Sequence, residues 1–198
     1  MSDPVQIDGL DAARSGHWWQ AFTGLIPVIF MVPILLAQAY ALGVLVAFVG
    51  VAAVIGYHLL RGQGVTSLDA LAAVFAAANL VLYFVFDSSI LIEHLDAAFY
   101  TLMAAQSLFS LRGSSPWTMQ FTRRTVIPEL WTSEAFIAMN VRTTQLWAAC
   151  FVLCDIAALT LPDPSRLWVP VVLMLATVAV SRRVGRRIFT DRLGVTGS

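Results

Sequence analysis

There is no lysine anywhere in this 198-residue chain, and few charges of any kind: 12 basic and 12 acidic residues make up only 12% of it. A soluble domain carries roughly a quarter charged residues, so the chain has too little charge to cover a water-facing surface. The missing lysine is read as a bias of composition without mechanistic weight. A formal net charge of zero gives no support for nucleic-acid binding, which requires a basic face, and no nucleic-acid partner is expected. Two cysteines, Cys150 and Cys154, make no disulfide framework. The first sixteen residues carry Asp3, Asp8 and Asp11 against Arg14 alone, which is not the basic start of a cleavable signal. There is also no Gly-rich phosphate loop, zinc-protease helix, nucleophile elbow or paired Cys-x-x-Cys. These absences argue against a hydrolase or a nucleotide-driven pump, and no catalytic residue, cofactor or metal is expected.

What the chain has instead is apolar length. Hydrophobic residues make up 59% of it, and a membrane helix needs about 20 of them in a row. From Trp18 to Leu60 there is no Asp, Glu, Lys or Arg, enough for two spans that break near Gln38-Ala39-Tyr40. The pattern predicts an all-α, polytopic membrane bundle of six transmembrane helices forming a single domain, over about 21–37, 41–60, 68–86, 90–111, 140–161 and 167–183. Ser67-Leu68-Asp69 reads as the cap of the third span, and Asp87-Ser88-Ser89 as the turn into the fourth. Residues 112–139 interleave aromatics with charges and are too polar to span. They are expected to form an amphipathic cytoplasmic segment between spans four and five, lying on the membrane or packed on the bundle as a loop. A basic tail is expected over 184–198.

Arginine placement supplies an independent check on the count. With six spans, Arg14, Arg61, Arg112, Arg123, Arg124, Arg142 and the five tail arginines share one side, and Arg166 stands alone on the other. Cytoplasmic loops carry the basic excess, so both termini are expected inside a bacterial inner membrane. A miscount by one span would break this asymmetry.

The most interesting polar group is Glu93, His94 and Asp96 at the start of the fourth span. Ionisable residues inside a span are functional candidates, and two acids three apart share a helix face. Such a group suits a proton relay or a cation site; the competing reading puts all three in the outer headgroup layer. Asp155, in the outer half of the fifth span, needs a partner or water and joins this candidate polar or ion site. His17 and His58 are expected near the inner face and His94 near the outer, a bilayer apart, so no shared metal site is expected. Cys150 and Cys154, four apart, are half of a soft-metal site with no further pair in sight, and are expected to pack as small hydrophobes. Arg123, Arg124, Arg182, Arg183, Arg186 and Arg187 are candidate lipid-headgroup contacts, or topology signals only.

One stretch has a family look. Ser110-Leu111-Arg112, then Pro116-Trp117-Thr118-Met119-Gln120-Phe121-Thr122-Arg123, then Val126-Ile127-Pro128-Glu129-Leu130-Trp131, with Phe136 and Asn140, resembles uncharacterised bacterial integral membrane proteins. Those carry a Pro-Phe-Thr-x-Gln-Tyr-Ala-Arg stretch followed by Val-Pro-x-x-x-Trp. Here Trp117 replaces the Phe, and Phe121-Thr122 the Tyr-Ala. The layout is also similar to the intracellular septation protein A group. The resemblance spans about a sixth of the chain and carries no catalytic residue. It implies a non-enzymatic inner-membrane protein of cell-envelope maintenance, working through contacts with the lipid bilayer or other inner-membrane proteins. The competing expectation is a small transporter or channel using the acids of the fourth span.

Overall fold

The computed structural model describes residues 39–193, apart from Gln63, Ser114, Arg124 and Thr125. The first predicted span, 21–37, and His17 lie outside the described residues. The described chain is all helical, with no strand. Helix α1 runs Tyr40–Leu60, α2 Ser67–Phe84, α3 Ile90–Glu93, α4 Leu95–Arg112, α5 Trp117–Thr122, α6 Glu134–Thr160 and α7 Ser165–Leu193; a 3-10 turn covers Pro128–Leu130. Among the described residues four stretches are long and apolar enough to cross a membrane: Tyr40–Leu60, Ser67–Phe84, Glu134–Thr160 and Ser165–Gly185.

Helices α1 and α2 pack on each other as a hairpin, and α6 packs between α4 and α7. A core cluster drawn from α2, α4, α5 and α6 holds Leu68, Met103, Ala104, Trp117 and Phe151, with Leu71, Phe99, Tyr100, Phe121 and Trp147 packed around them. Two polar bonds tie the hairpin to the rest. The Ser67 amide donates to Gln120 Oε1 at 2.8 Å, and Gln106 Nε2 donates to Ser67 Oγ at 2.8 Å.

The predicted boundaries change in three places, each for a local reason. The cap of α2 is Thr66, one residue before the expected Ser67; Thr66 and Asp69 make a reciprocal capping box. The expected single helix over 90–111 is broken at His94, whose φ of −113° and ψ of 29° end α3 and start α4. Glu93 and Asp96 therefore do not share one regular helix face. Helix α4 is also the polar one of the bundle, with Asp96, Tyr100, Thr101, Gln106, Ser107 and Ser110 along it.

The third change concerns 112–139. These residues do not form one amphipathic strip. They contribute α5, the 3-10 turn and the first six residues of α6. Helix α6 has 27 residues, about 40 Å at 1.5 Å per residue, longer than a hydrocarbon core of about 30 Å.

Helix α5 is docked by its side chains. Trp117, Thr118 and Met119 are buried. Thr118 Oγ1 donates to the Asn140 carbonyl at 3.0 Å and lies 2.7 Å from Thr144 Oγ1. A hydroxyl has one proton, so Thr144 is the donor of that second bond. Thr122 Oγ1 donates to Asn140 Oδ1 at 2.8 Å, and Asn140 Nδ2 donates to the Phe136 carbonyl at 2.9 Å. Thr144→Val keeps the shape and removes one buried hydroxyl. It is expected to cost about 1 kcal/mol, read as a lower melting temperature of the detergent-solubilised protein; an unchanged melt would mean the network holds nothing.

Candidate functional site

The predicted polar site does not assemble as a site. Glu93 is exposed and accepts from Ser89 Oγ at 2.5 Å. His94 is exposed at the helix break. Asp96 is taken by Arg166 in a two-pronged ion pair, Arg166 Nε to Oδ2 at 2.5 Å and a terminal guanidinium nitrogen to Oδ1 at 2.6 Å. Both side chains are about a quarter exposed. The pair answers a placement problem. Asp96 sits in the first turn of α4, where a helix favours negative charge, but Arg166 sits in the first turn of α7, where it disfavours positive charge. The carboxylate compensates the arginine and clamps α4 to α7.

Asp155 stands apart. Its Oδ2 accepts from Thr101 Oγ1 at 3.0 Å across the α4–α6 interface, while Oδ1 is buried with no partner. Among the described residues no three of His, Cys, Asp and Glu come together as a metal site.

Sequence reasoning missed the best-built polar cluster. His58, near the end of α1, is buried against Asp69 at the start of α2, with Nδ1 to Oδ2 at 3.2 Å and both side chains 4% exposed. The same oxygen accepts from the Thr66 amide at 2.9 Å and from Thr66 Oγ1 at 2.8 Å. An ionised carboxylate only accepts, so His58 holds its proton on Nδ1. The signal was present: Thr66-x-x-Asp69 has capping-box spacing. The expected cap at Ser67 hid it, and His58 was read alone. The arrangement is a dry tether across the α1–α2 turn.

The candidate lipid-contact arginines separate. Arg123 is exposed and stacks over the Trp131 ring at 5.5 Å, while Trp131 Nε1 donates to the Val126 carbonyl at 2.8 Å. Arg124 lies outside the described residues. Arg182, Arg183, Arg186 and Arg187 are helical, because α7 runs on to Leu193, past the expected end of the sixth span at 183; residues 194–198 are outside the described part. Arg182, Arg183 and Arg187 are exposed. An open apolar groove of about 430 Å³ runs between α4 and α6, lined by Leu108, Leu111, Ala148 and Val152 among others.

No family model, curated protein or solved structure matches the chain. The family resemblance over 110–140 thus rests on its motif residues alone. In the fold two of those residues are packing groups: Trp117 meets Phe121 edge-on at 5.7 Å, and Trp147 tilted at 6.5 Å.

Proposed function

We propose that this chain is a non-enzymatic, six-span protein of the bacterial inner membrane with both termini cytoplasmic, acting in cell-envelope upkeep through contacts with lipid and other membrane proteins. One observation carries the reading. In the apolar stretch Ser165–Gly185 of α7 only 6% of the spanning window's residues are fully buried within the described fold, so the face turned away from α6 is offered to something else. Trp168, Val172 and Leu175 are each about two-thirds exposed. In hydrocarbon such a flank meets acyl chains or another membrane helix, and close helix packing there depends on shape, not on water exclusion.

The six-span count needs α4 and the 21–37 stretch as spans. Helix α4 is the more polar of the two; its Asp96, Thr101 and the Gln106 amide nitrogen find partners in Arg166, Asp155 and Ser67, as a membrane interior favours, while Gln106 Oε1 and Ser107 Oγ are buried without one. The Asp96–Arg166 pair supports the count as well. It joins the starts of α4 and α7, which six spans put on one outer side, and it gives the lone outer arginine a reason to be there. The exposed break at Glu93-His94 suits the outer rim. Transport through these acids has less support, because Asp96 is committed to Arg166 and Glu93 to Ser89.

Photo-crosslinking from position 175 in intact cells tests the contact reading, with adducts identified by mass spectrometry. The expected result is a defined set of membrane-protein adducts that a probe at the fully buried position 144 does not give. Lipid adducts alone, or ion flux in proteoliposomes that Asp155→Asn abolishes, would overturn it. For topology, single cysteines introduced into a cysteine-free background are expected to label from outside at Asp163 and only after permeabilisation at Gly64.

A further inference from the structure

The open apolar groove between α4 and α6 has a charged head. Leu108 and Leu111 of α4 and Ala148, Ala149, Val152 and Leu153 of α6 form its wall, and Gln145 marks one end. The two helices run antiparallel: Thr101 bonds Asp155, whereas Trp117, farther along the chain, meets Trp147, nearer the start of α6. That register sets Arg112, the last residue of α4, level with the α6 turn that carries Arg142 and Gln145. Arg112 is four residues after Leu108, and Arg142 is three before Gln145; residues at such spacings share a helix stripe. Both arginines therefore stand at the Gln145 end of the groove.

Neither arginine is neutralised. The Arg142 guanidinium donates to the uncharged Gln145 Oε1 at 3.3 Å, and that of Arg112 sits 5.3 Å over the Phe109 ring. No acid among the described residues pairs with either, and both are exposed. Depth fits as well. From Thr143 to Thr160, α6 spans about 27 Å, close to a hydrocarbon core of about 30 Å. Arg142 thus falls at the boundary where headgroups begin, and the groove runs from there about 12 Å into the core, to Leu153.

We propose that this groove seats an acyl chain of an anionic glycerophospholipid, whose phosphate is held by Arg112 and Arg142. An apolar trough takes an alkyl chain without desolvating a polar group. The guanidinium is a planar fork that matches phosphate oxygens. A zwitterionic headgroup would bring its own ammonium to the same two cations, so a headgroup of net negative charge is preferred; basic pockets between membrane helices take such lipids. An apolar protein helix laid in the groove would leave both guanidiniums without a counter-charge. Placement in the cytoplasmic leaflet rests on the six-span topology proposed above; the affinity of the groove for the lipid does not.

The full-length protein in neutral detergent is titrated separately with phosphatidylglycerol and phosphatidylethanolamine, and bound lipid is counted by native mass spectrometry. One tightly held phosphatidylglycerol per chain is expected, with phosphatidylethanolamine weaker by roughly tenfold. Arg112→Gln and Arg142→Gln should each weaken phosphatidylglycerol roughly fivefold and bring the two lipids closer in affinity. Ala149→Phe, which fills the groove, should weaken both lipids. Arg61→Gln, at an exposed arginine outside the groove, should change nothing. A photoreactive residue at position 149, in phosphatidylglycerol bilayers, gives a readout that needs no charge variant, and lipid adducts are expected there. A protein adduct instead, from a second copy or another stretch of this chain, overturns the proposal. So do equal affinities of the wild type for the two lipids, or a loss in Arg61→Gln as large as in Arg112→Gln. External labelling at Gly64 would overturn the topology while these affinities still supported the site.

Discussion

Asp69→Ala is expected to destabilise the protein by about 3 kcal/mol, more than any other change at the α1–α2 turn. The carboxylate oxygen it removes serves three donors: His58 Nδ1, the Thr66 amide and Thr66 Oγ1. All three stay behind in a site where His58, Thr66 and Asp69 are at most 5% exposed. Each buried donor left without a partner costs about 1–3 kcal/mol, and loss of a helix cap about 1 kcal/mol; relaxation and water entry keep the sum below simple addition. Asp69→Asn retains an acceptor and should lose less than half as much. The measurement is thermal unfolding in detergent, alongside proteolysis between Arg61 and Thr66. If Asp69→Ala melts with the wild type and resists protease equally, the tether holds nothing together. Removing the other partner as well, in His58→Leu with Asp69→Leu, should recover part of the loss, since one of the three orphaned donors is gone while the Thr66 amide and hydroxyl remain.

The second large effect is expected at the Asp96–Arg166 clamp. Asp96→Asn keeps the shape of the side chain and removes the charge that Arg166 faces across the α4–α7 interface. Breaking a fully buried pair costs about 3–5 kcal/mol; at a quarter exposed the expected loss is about 2 kcal/mol. Arg166→Met should cost less, because the orphaned acid then sits in the first turn of a helix, where the backbone dipole favours it. The double variant should be more stable than the sum of the two losses predicts. Strict additivity in melting temperature would show that the two charges do not interact.

How far the sequence carried depended on whether a property was local. The apolar runs of α1, α2, α6 and α7 were legible, because each is a contiguous stretch whose composition alone requires a helix away from water. The start of α6 was misread by six residues, since Glu134 looks like a loop charge. It is in fact a first-turn acid behind the Ser133 cap, whose hydroxyl accepts from the Phe136 amide. The break at His94 had no signature of its own: neither glycine nor proline marks it. The polar pairings were the least legible. Asp96 and Arg166 are 70 residues apart, Thr101 and Asp155 are 54 apart, and Thr118 and Thr144 are 26 apart. Such partners are chosen by helix packing, which a single sequence does not display. The acids of the fourth span looked like a functional site because intramembrane charge usually is one; here Arg166 had been counted only as a topology signal.

The 70-residue gap between Asp96 and Arg166 sets a timetable for biogenesis. At a synthesis rate of about 5–20 residues per second, the ribosome delivers the arginine roughly 4–14 seconds after the aspartate. Both partners of the His58–Asp69 contact, only 11 residues apart, are made before that window opens. The nascent chain therefore carries a finished hairpin and an uncompensated acid side by side, and the acid waits for the last helix.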